Sequence, residues 1–171
     1  MKVVVRSYRD ADYSDCVTLY RELAQRHAEV YEDPSIGVKD FAQVFDEYLS
    51  RSDRRDTWVA ETDEIVVGLI GLLDRVGERG VCEIEPLVVS ADYRDKGIGS
   101  KLVEYARKEA KAKGYRFFSV RPELRNEEAF KLYVKLGFNL VGGVELFQDL
   151  SPERGRTWKS GVEILGQKLR Y

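Results

Sequence analysis

Leu87-Val88-Val89-Ser90-Ala91-Asp92-Tyr93-Arg94-Asp95-Lys96-Gly97-Ile98-Gly99-Ser100 is the stretch that decides how this chain is read. An apolar run passes into a short basic loop with two glycines, and a helical pattern starts at once. Backbone N–H groups in such a loop converge on one point, and the positive end of the following helix adds to them. Arg94 and Lys96 bring cationic charge to the same place. The ligand such a loop suits is a phosphate, so the stretch points to a phosphorylated cofactor.

Which cofactor is not written in the loop alone. A Rossmann fingerprint would carry a third glycine where Leu102 stands, and a P-loop would continue into Gly-Lys-Ser/Thr after a longer loop. A plain strand-to-helix turn that happens to be basic stays open on this evidence.

Working outward, the periodicity predicts strands at 3–6, 57–61, 65–73, 81–89, 116–120, 138–147 and 158–169. Helices are expected after Asp12 or Ser14, with a stripe of Cys16, Val17, Tyr20, Leu23, Ala24 and His27, and after Asp33-Pro34, with Phe41, Val44, Phe45, Tyr48 and Leu49 on one face. Two more are expected at 98–113, closed by Gly114, and at 126–136, closed by Gly137. Meandering strands followed by a strand–helix–strand crossover imply a mixed α/β sheet with helices on both faces. Pro86 inside the run at 81–89 cannot donate to a ladder, so that strand is expected to have an edge or a bulge there.

Composition narrows the classes. The chain has 171 residues, enough for a single domain at 1–171 with a real core. A net charge of -2 gives no general pull toward nucleic acid or anionic lipid. No apolar run reaches the ~20 residues of a membrane span and no signal-peptide pattern opens the chain, so a cytoplasmic protein is the expectation. Charged residues are 34% of the chain while methionine occurs once, a balance that leans toward a thermophilic source. Cys16 and Cys82 form no CxxC pair and His27 is the single histidine, which argues against a zinc or iron–sulfur site. Two buried thiols are expected rather than a disulfide.

A second constellation follows the glycine loop: Asn126-x-x-Ala129-x-x-x-Tyr133-x-x-x-Gly137-Phe138. Asn126, Ala129 and Tyr133 share one helix face, an unusual set for core packing. The bland reading is an N-cap asparagine with a half-buried tyrosine. Arg94-x-x-Gly97-x-Gly99 followed by this helix resembles the GNAT superfamily of acyl-CoA-dependent N-acyltransferases. The resemblance is densest over 81–138, and the strand and helix order outside that core also fits.

The resemblance implies a largely antiparallel (α+β) central sheet of about seven strands with a splayed central pair. It implies that N–H groups of Asp95, Lys96, Gly97, Ile98, Gly99 and Ser100, beside Arg94, hold the pyrophosphate of acetyl-CoA. Leu87, Val88 and Val89 would pair with the pantetheine arm as an added strand would, and an N–H near Val88 would polarise the thioester carbonyl. Asn126 would touch the cofactor and Tyr133 would face the sulfur as general acid. Glu83 and Glu85 lie two apart on one strand and lead into the acetyl site, so either is a candidate base for the amine, with Glu85 slightly favoured. An ordinary glutamate, at ~4.3, is a weak base for an amine at ~10.4, so a water relay or a pKa raised by the neighbouring carboxylate is expected, and a solvated strand face with two glutamates is the plain alternative. A phenol at ~10 is also a reluctant acid toward a thiolate at ~8.5, so a hydrogen bond to the leaving sulfur is the milder role for Tyr133. Cys82 alternates with Glu83 and has no cation next to it in sequence, which disfavours an acyl-enzyme.

His27, Glu29, Tyr31 and Glu32 fall where family members often line the acceptor site, and acidic groups there would suit a cationic amine on a small molecule, peptide or protein; a plain surface helix end fits these residues equally well. A homodimer through the last strand would also fit the family. Two other classes stay open: a non-catalytic acyl-CoA-binding domain that senses the cofactor, and a nucleotide-binding regulatory domain. Glu83, Glu85 and Tyr133 argue against the first, and the helix at 126–136 is unexplained by the second.

Overall fold

The computed structural model describes residues 1–148, 150 and 158–171. The chain divides into two compact units, Met1–Arg121 and Pro122–Tyr171.

The first unit is built on a five-stranded sheet in sequential order: β1 (Val4–Ser7), β2 (Arg54–Thr62), β3 (Ile65–Asp74), β4 (Val81–Val89) and β5 (Phe117–Ser119). Neighbours are antiparallel except β4 and β5, which are parallel because a helix connects them. The β2–β3 hairpin turns at Asp63 and Glu64, both at positive φ (50° and 64°), the twist a two-residue hairpin demands. β3 is central and buried along almost its whole length, which is why it reads as an unbroken apolar run rather than an alternating one.

The helices α1 (Tyr13–Tyr31) and α2 (Phe41–Leu49) cover one face. Cys16, Leu19, Phe45 and Tyr48 pack there with Val59, Leu69, Leu73 and Val88. The Phe45 ring lies 5.2 Å from Tyr20 and 5.5 Å from Tyr13, so it seats both helices on the sheet. The helix α3 (Ile98–Ala112) covers the other face, where Tyr105 meets Trp58 edge-on at 5.7 Å. Trp58 and Val59 are adjacent, so strand alternation sends them to opposite layers. Asp40 caps α2 by accepting from the Ala42 and Gln43 N–H groups.

Asp12 stands at the N-cap of α1, as expected, yet makes no side-chain cap bond. Its carboxylate is taken by Arg6, at 2.7 and 2.8 Å, and by the Arg9 N–H at 2.8 Å. Arg6 also pairs with Glu61, so one guanidinium ties β1, the start of α1 and β2 together.

The β3–β4 register changes within one step. Ile70 pairs with Leu87 but Leu72 pairs with Ile84, so Glu85 and Pro86 both stand opposite Gly71. This is the bulge expected from Pro86, and the Glu85–Pro86 peptide is cis. A side chain at Gly71 would overlap both the Glu85 carbonyl oxygen and the Tyr48 hydroxyl. Glycine is therefore required there by close approach, not by backbone freedom.

The second unit holds α4 (Glu127–Lys135) and a separate hairpin of β6 (Ser160–Ile164) and β7 (Gln167–Arg170). The strand expected at 138–147 does not form: residues 138–148 have no regular structure. Gly142-Gly143 interrupts that run, with two residues that weaken a strand and pack nothing. The single strand expected at 158–169 is instead a hairpin, because Leu165 and Gly166 take positive φ (50° and 77°) and reverse the chain. Among the described residues the central sheet thus has five strands, with two more in a sheet of their own, rather than about seven together. No helix of the described residues is long and apolar enough to cross a membrane.

Gly71→Ala is expected to cost roughly 3 kcal/mol through overpacking, read as a lower urea midpoint. Adding Tyr48→Phe removes one of the two overlapping atoms and recovers part of the loss. An unmoved midpoint in Gly71→Ala would overturn the close-approach account. Arg6 holds the Asp12 carboxyl below its ordinary range, chiefly through their hydrogen bonds. Because the folded value is depressed, that stabilisation is complete above the unfolded pKa of ~3.9 and is lost as pH falls through the folded value. Asp12→Asn should cost about 2–3 kcal/mol at neutral pH, since the pair is not fully dry, and its deficit should shrink below about pH 4 in urea titrations.

Candidate active site

β4 outruns its neighbour. It pairs with β5 only at Val81, Cys82 and Glu83, opposite Phe117, Phe118 and Ser119. β5 ends at Ser119, so from Ile84 to Val89 the outer edge of β4 has no β5 partner. The family resemblance implies a splayed central pair; here β4 and β5 form a fork by the ending of β5, which is the edge strand of the five. The Ser119 hydroxyl closes the fork by donating to the Cys82 carbonyl at 2.8 Å.

The direction of the free donors follows from register. Ser90 N–H donates to the Val67 carbonyl of β3 at 2.9 Å. Alternation then turns the Val88 N–H toward β3 as well, and the N–H groups of Leu87 and Val89 toward the open edge. The outward donors near Val88 are thus its two neighbours.

The two glutamates sit on either side of the bulge in different surroundings. Glu83, opposite Leu73 and at the last rung of the fork, is buried and accepts from Arg121 Nε at 2.6 Å. Glu85 is half exposed and accepts from Arg51 at 3.1 Å. Arg51 also holds Asp53 through two bonds of 2.9 and 2.8 Å, so its direction is fixed. Glu85 lies close enough to Tyr20 for its charge to help burial raise the Tyr20 phenol. The sequence reading missed Arg51 and Arg121. Arg51 stands 34 residues from Glu85 and Arg121 stands 38 from Glu83, and no local pattern links such pairs.

Cys82 is fully buried, with its thiol 3.5 Å from the Phe117 carbonyl, and burial pushes that thiol up to about 12. It stays protonated near neutral pH, which removes the chemical basis for an acyl-enzyme there. Cys16 is buried too, and both thiols are free.

Beyond β4 a single 3-10 turn, Ala91–Tyr93, leads into the glycine loop. Asp95 and Gly97 take left-handed conformations (φ 59° and 77°) on either side of Lys96. Gly97 is the N-cap of α3, and no side chain caps that end. The first-turn N–H groups of Ile98, Gly99 and Ser100 are thus open to a ligand. A Cβ built on Gly97 meets nothing within 4 Å, so the cradle is open on that side. Ile98 is buried and anchors the helix start, while Arg94, Asp95, Lys96 and Gly97 are exposed. Arg94 Nε reaches the Val89 carbonyl at 3.2 Å and Lys96 Nζ reaches the Asp92 carbonyl at 2.7 Å, so both cations lie along the loop. This donor set fits a diphosphate.

In the second unit Asn126 caps α4, accepting from the Ala129 N–H at 3.2 Å. The capping role of the bland reading is therefore real, and it leaves the amide nitrogen for other work. Tyr133 is buried, edge-on to Phe138 at 5.6 Å, and burial raises its phenol to about 12. His27, Glu29 and Tyr31 belong to the last turns of α1, and Glu32 is its left-handed C-cap (φ 55°).

The chain resembles known proteins over most of its length. It is 26% identical over 138 residues to an uncharacterized N-acetyltransferase of Methanocaldococcus jannaschii, covering 78% of this chain and 59% of that protein. It is 33% identical over 128 residues to streptothricin acetyltransferase of Escherichia coli, covering 73% and 67%. The chain thus spans roughly three fifths to two thirds of the length of these relatives. Among solved structures, the PaiA N-acetyltransferase of Thermoplasma acidophilum, in complex with coenzyme A, superposes with a TM-score of 0.70 at 22% identity, over 84% of this chain and 94% of that one. That likeness is one of fold. The model described as the acetyltransferase (GNAT) family matches residues 16–138, which takes in the fork of β4 and β5, the glycine loop and α4. With that match over most of its length, the chain belongs to the acetyltransferase (GNAT) family.

Proposed function

We propose that residues 1–171 act as one cytoplasmic N-acetyltransferase domain that moves an acetyl group from acetyl-CoA to a primary amine by direct attack. The observation that carries this reading is the outer edge of β4 beyond Glu83, unpaired among the described residues, followed by the loop that leads into the uncapped N-terminus of α3. The edge suits an amide-bearing pantetheine arm added as a strand, and the helix end suits the diphosphate. Leu87, Val88 and Val89 line the arm, and the Leu87 or Val89 N–H donates to the thioester carbonyl as charge builds on it. Asp95 to Ser100 supply backbone donors, Arg94 and Lys96 supply charge, and the Asn126 amide contacts the cofactor.

Glu85 is the base in this reading. Arg51 engages its Oε1 and orients it, while half the side chain faces solvent, where a water can relay the ammonium proton. Glu83 is buried against Arg121 at 2.6 Å and serves to hold the fork. The amine nitrogen then forms a bond to the carbonyl carbon, the C–S bond breaks, the thiolate leaves, and the proton still carried by the attacking nitrogen passes through solvent to that thiolate, which gives the neutral amide and free thiol. Tyr133, with its phenol near about 12, donates a hydrogen bond to that sulfur. Full transfer to a thiol of ordinary pKa ~8.5 is strongly uphill, so the hydrogen bond is the contribution.

The test is a binding titration with acetyl-CoA, with ATP as control, then thiol release with a panel of amines: streptothricin, an aminoglycoside, a polyamine and a peptide α-amine. Saturable binding and release with at least one amine are expected. Folded protein that does not bind acetyl-CoA overturns the reading, and binding with no turnover on any amine assigns the chain to cofactor sensing instead. Glu85→Gln should lower kcat/KM by about 100-fold near pH 7. That deficit should narrow as pH rises toward the amine pKa of ~10.4, because free amine then needs no base. Tyr133→Phe should lower kcat by about tenfold without abolishing turnover, and a wild-type rate under chemistry-limited conditions removes Tyr133 from the mechanism.

A further inference from the structure

We propose that Glu22, on α1, is a positioning residue that fixes the entrance of the phosphate loop. Its carboxylate accepts from the Ser90 hydroxyl at 3.1 Å and from the Ala91 N–H at 2.7 Å. Ser90 and Ala91 are the residues where β4 ends and the loop begins. Serine is a good N-cap, yet Ser90 makes no side-chain cap bond of its own to the turn at Ala91–Tyr93. Its hydroxyl is turned to Glu22 instead, and the first N–H of that turn is capped by a carboxylate 69 residues away in sequence.

The anchor acts on a segment whose other contacts are local, as in the Arg94 Nε bond to the Val89 carbonyl and the stacking of Lys96 on Tyr93 at 4.9 Å. Ser90 is held on the strand side by its own N–H to Val67, and Tyr93 N–H closes the turn on the Ser90 carbonyl at 2.9 Å. From Arg94 to Gly97 the chain is exposed. Lys96 is tied to the Asp92 carbonyl, inside the turn that Glu22 caps. Freeing Ala91 loosens the turn, and with it the aim of the N–H groups that follow. Both bonds are charge-assisted, the stronger kind, and Glu22 is partly shielded from water.

The inference rests on the reading that this loop holds acetyl-CoA, and it separates from that reading in one set of measurements. Wild type, Glu22→Ala and Glu22→Gln are titrated with acetyl-CoA and assayed for turnover, and amide exchange is followed at Ala91. Glu22→Ala should raise Kd and KM for acetyl-CoA by about tenfold, with kcat at saturating acetyl-CoA changed by less than about twofold. Its Ala91 amide should exchange faster while the β3 amides keep their protection. Glu22→Gln keeps an oxygen acceptor for the Ala91 N–H and should restore affinity to within about threefold of wild type. If Glu22→Ala does not fold, Ser90→Ala removes one bond of the anchor and should shift Kd in the same direction by a smaller factor. Wild type that fails to bind acetyl-CoA overturns the function and this role together. Wild type that binds, with Glu22→Ala binding equally well, overturns this role alone.

Discussion

The missing side chain at Gly71 is the constraint on which the site depends. Only with no Cβ can β3 come close enough for the Glu85 carbonyl and the Tyr48 hydroxyl to occupy the same small space. That approach lets two residues of β4, Glu85 and Pro86, stand opposite one of β3. The extra residue bends β4 and sets where its outer half goes. Below the bulge the strand is part of a parallel pair with β5, and above it the outer edge has no β5 neighbour.

The same bulge sorts the two carboxylates. Glu83 belongs to the paired half and is buried against Arg121, while Glu85 belongs to the bulge and keeps half of its surface in water. Two residues of one type, two positions apart, thereby receive different neighbours and different access to solvent. Arg51 gives Glu85 a direction and Asp53 gives Arg51 one, so the carboxylate is aimed by a chain of ion pairs rather than by its own strand. The buried thiol of Cys82, beside the Phe117 carbonyl, is kept protonated by the cost of ionising in an apolar place.

Around this site the scaffold is tied by side chains that cross the fold. Arg6 joins β1, β2 and the start of α1, and Glu22 joins α1 to the end of β4. α1 therefore carries load between the sheet edge and the glycine loop.

Local chemistry made much of this chain legible from its residues. The basic loop with Gly97 and Gly99, the spacing of Asn126, Ala129 and Tyr133, the Thr62-Asp63-Glu64 turn and the proline within β4 each act over a few residues, and each predicted its element. The strand reading failed where pairing decides the outcome. The run at 138–147 is apolar enough for a strand, but a strand exists only where a second strand pairs with it, and no ladder forms over this run among the described residues. The hairpin of β6 and β7 likewise turns on the positive φ of Leu165, which a non-glycine residue does not announce. The requirement for glycine at 71, the different surroundings of Glu83 and Glu85, and the contacts of Arg51, Arg121 and Glu22 came only with the tertiary structure. Each depends on groups tens of residues apart meeting in space, and side-chain period and turn propensity carry no information at that range.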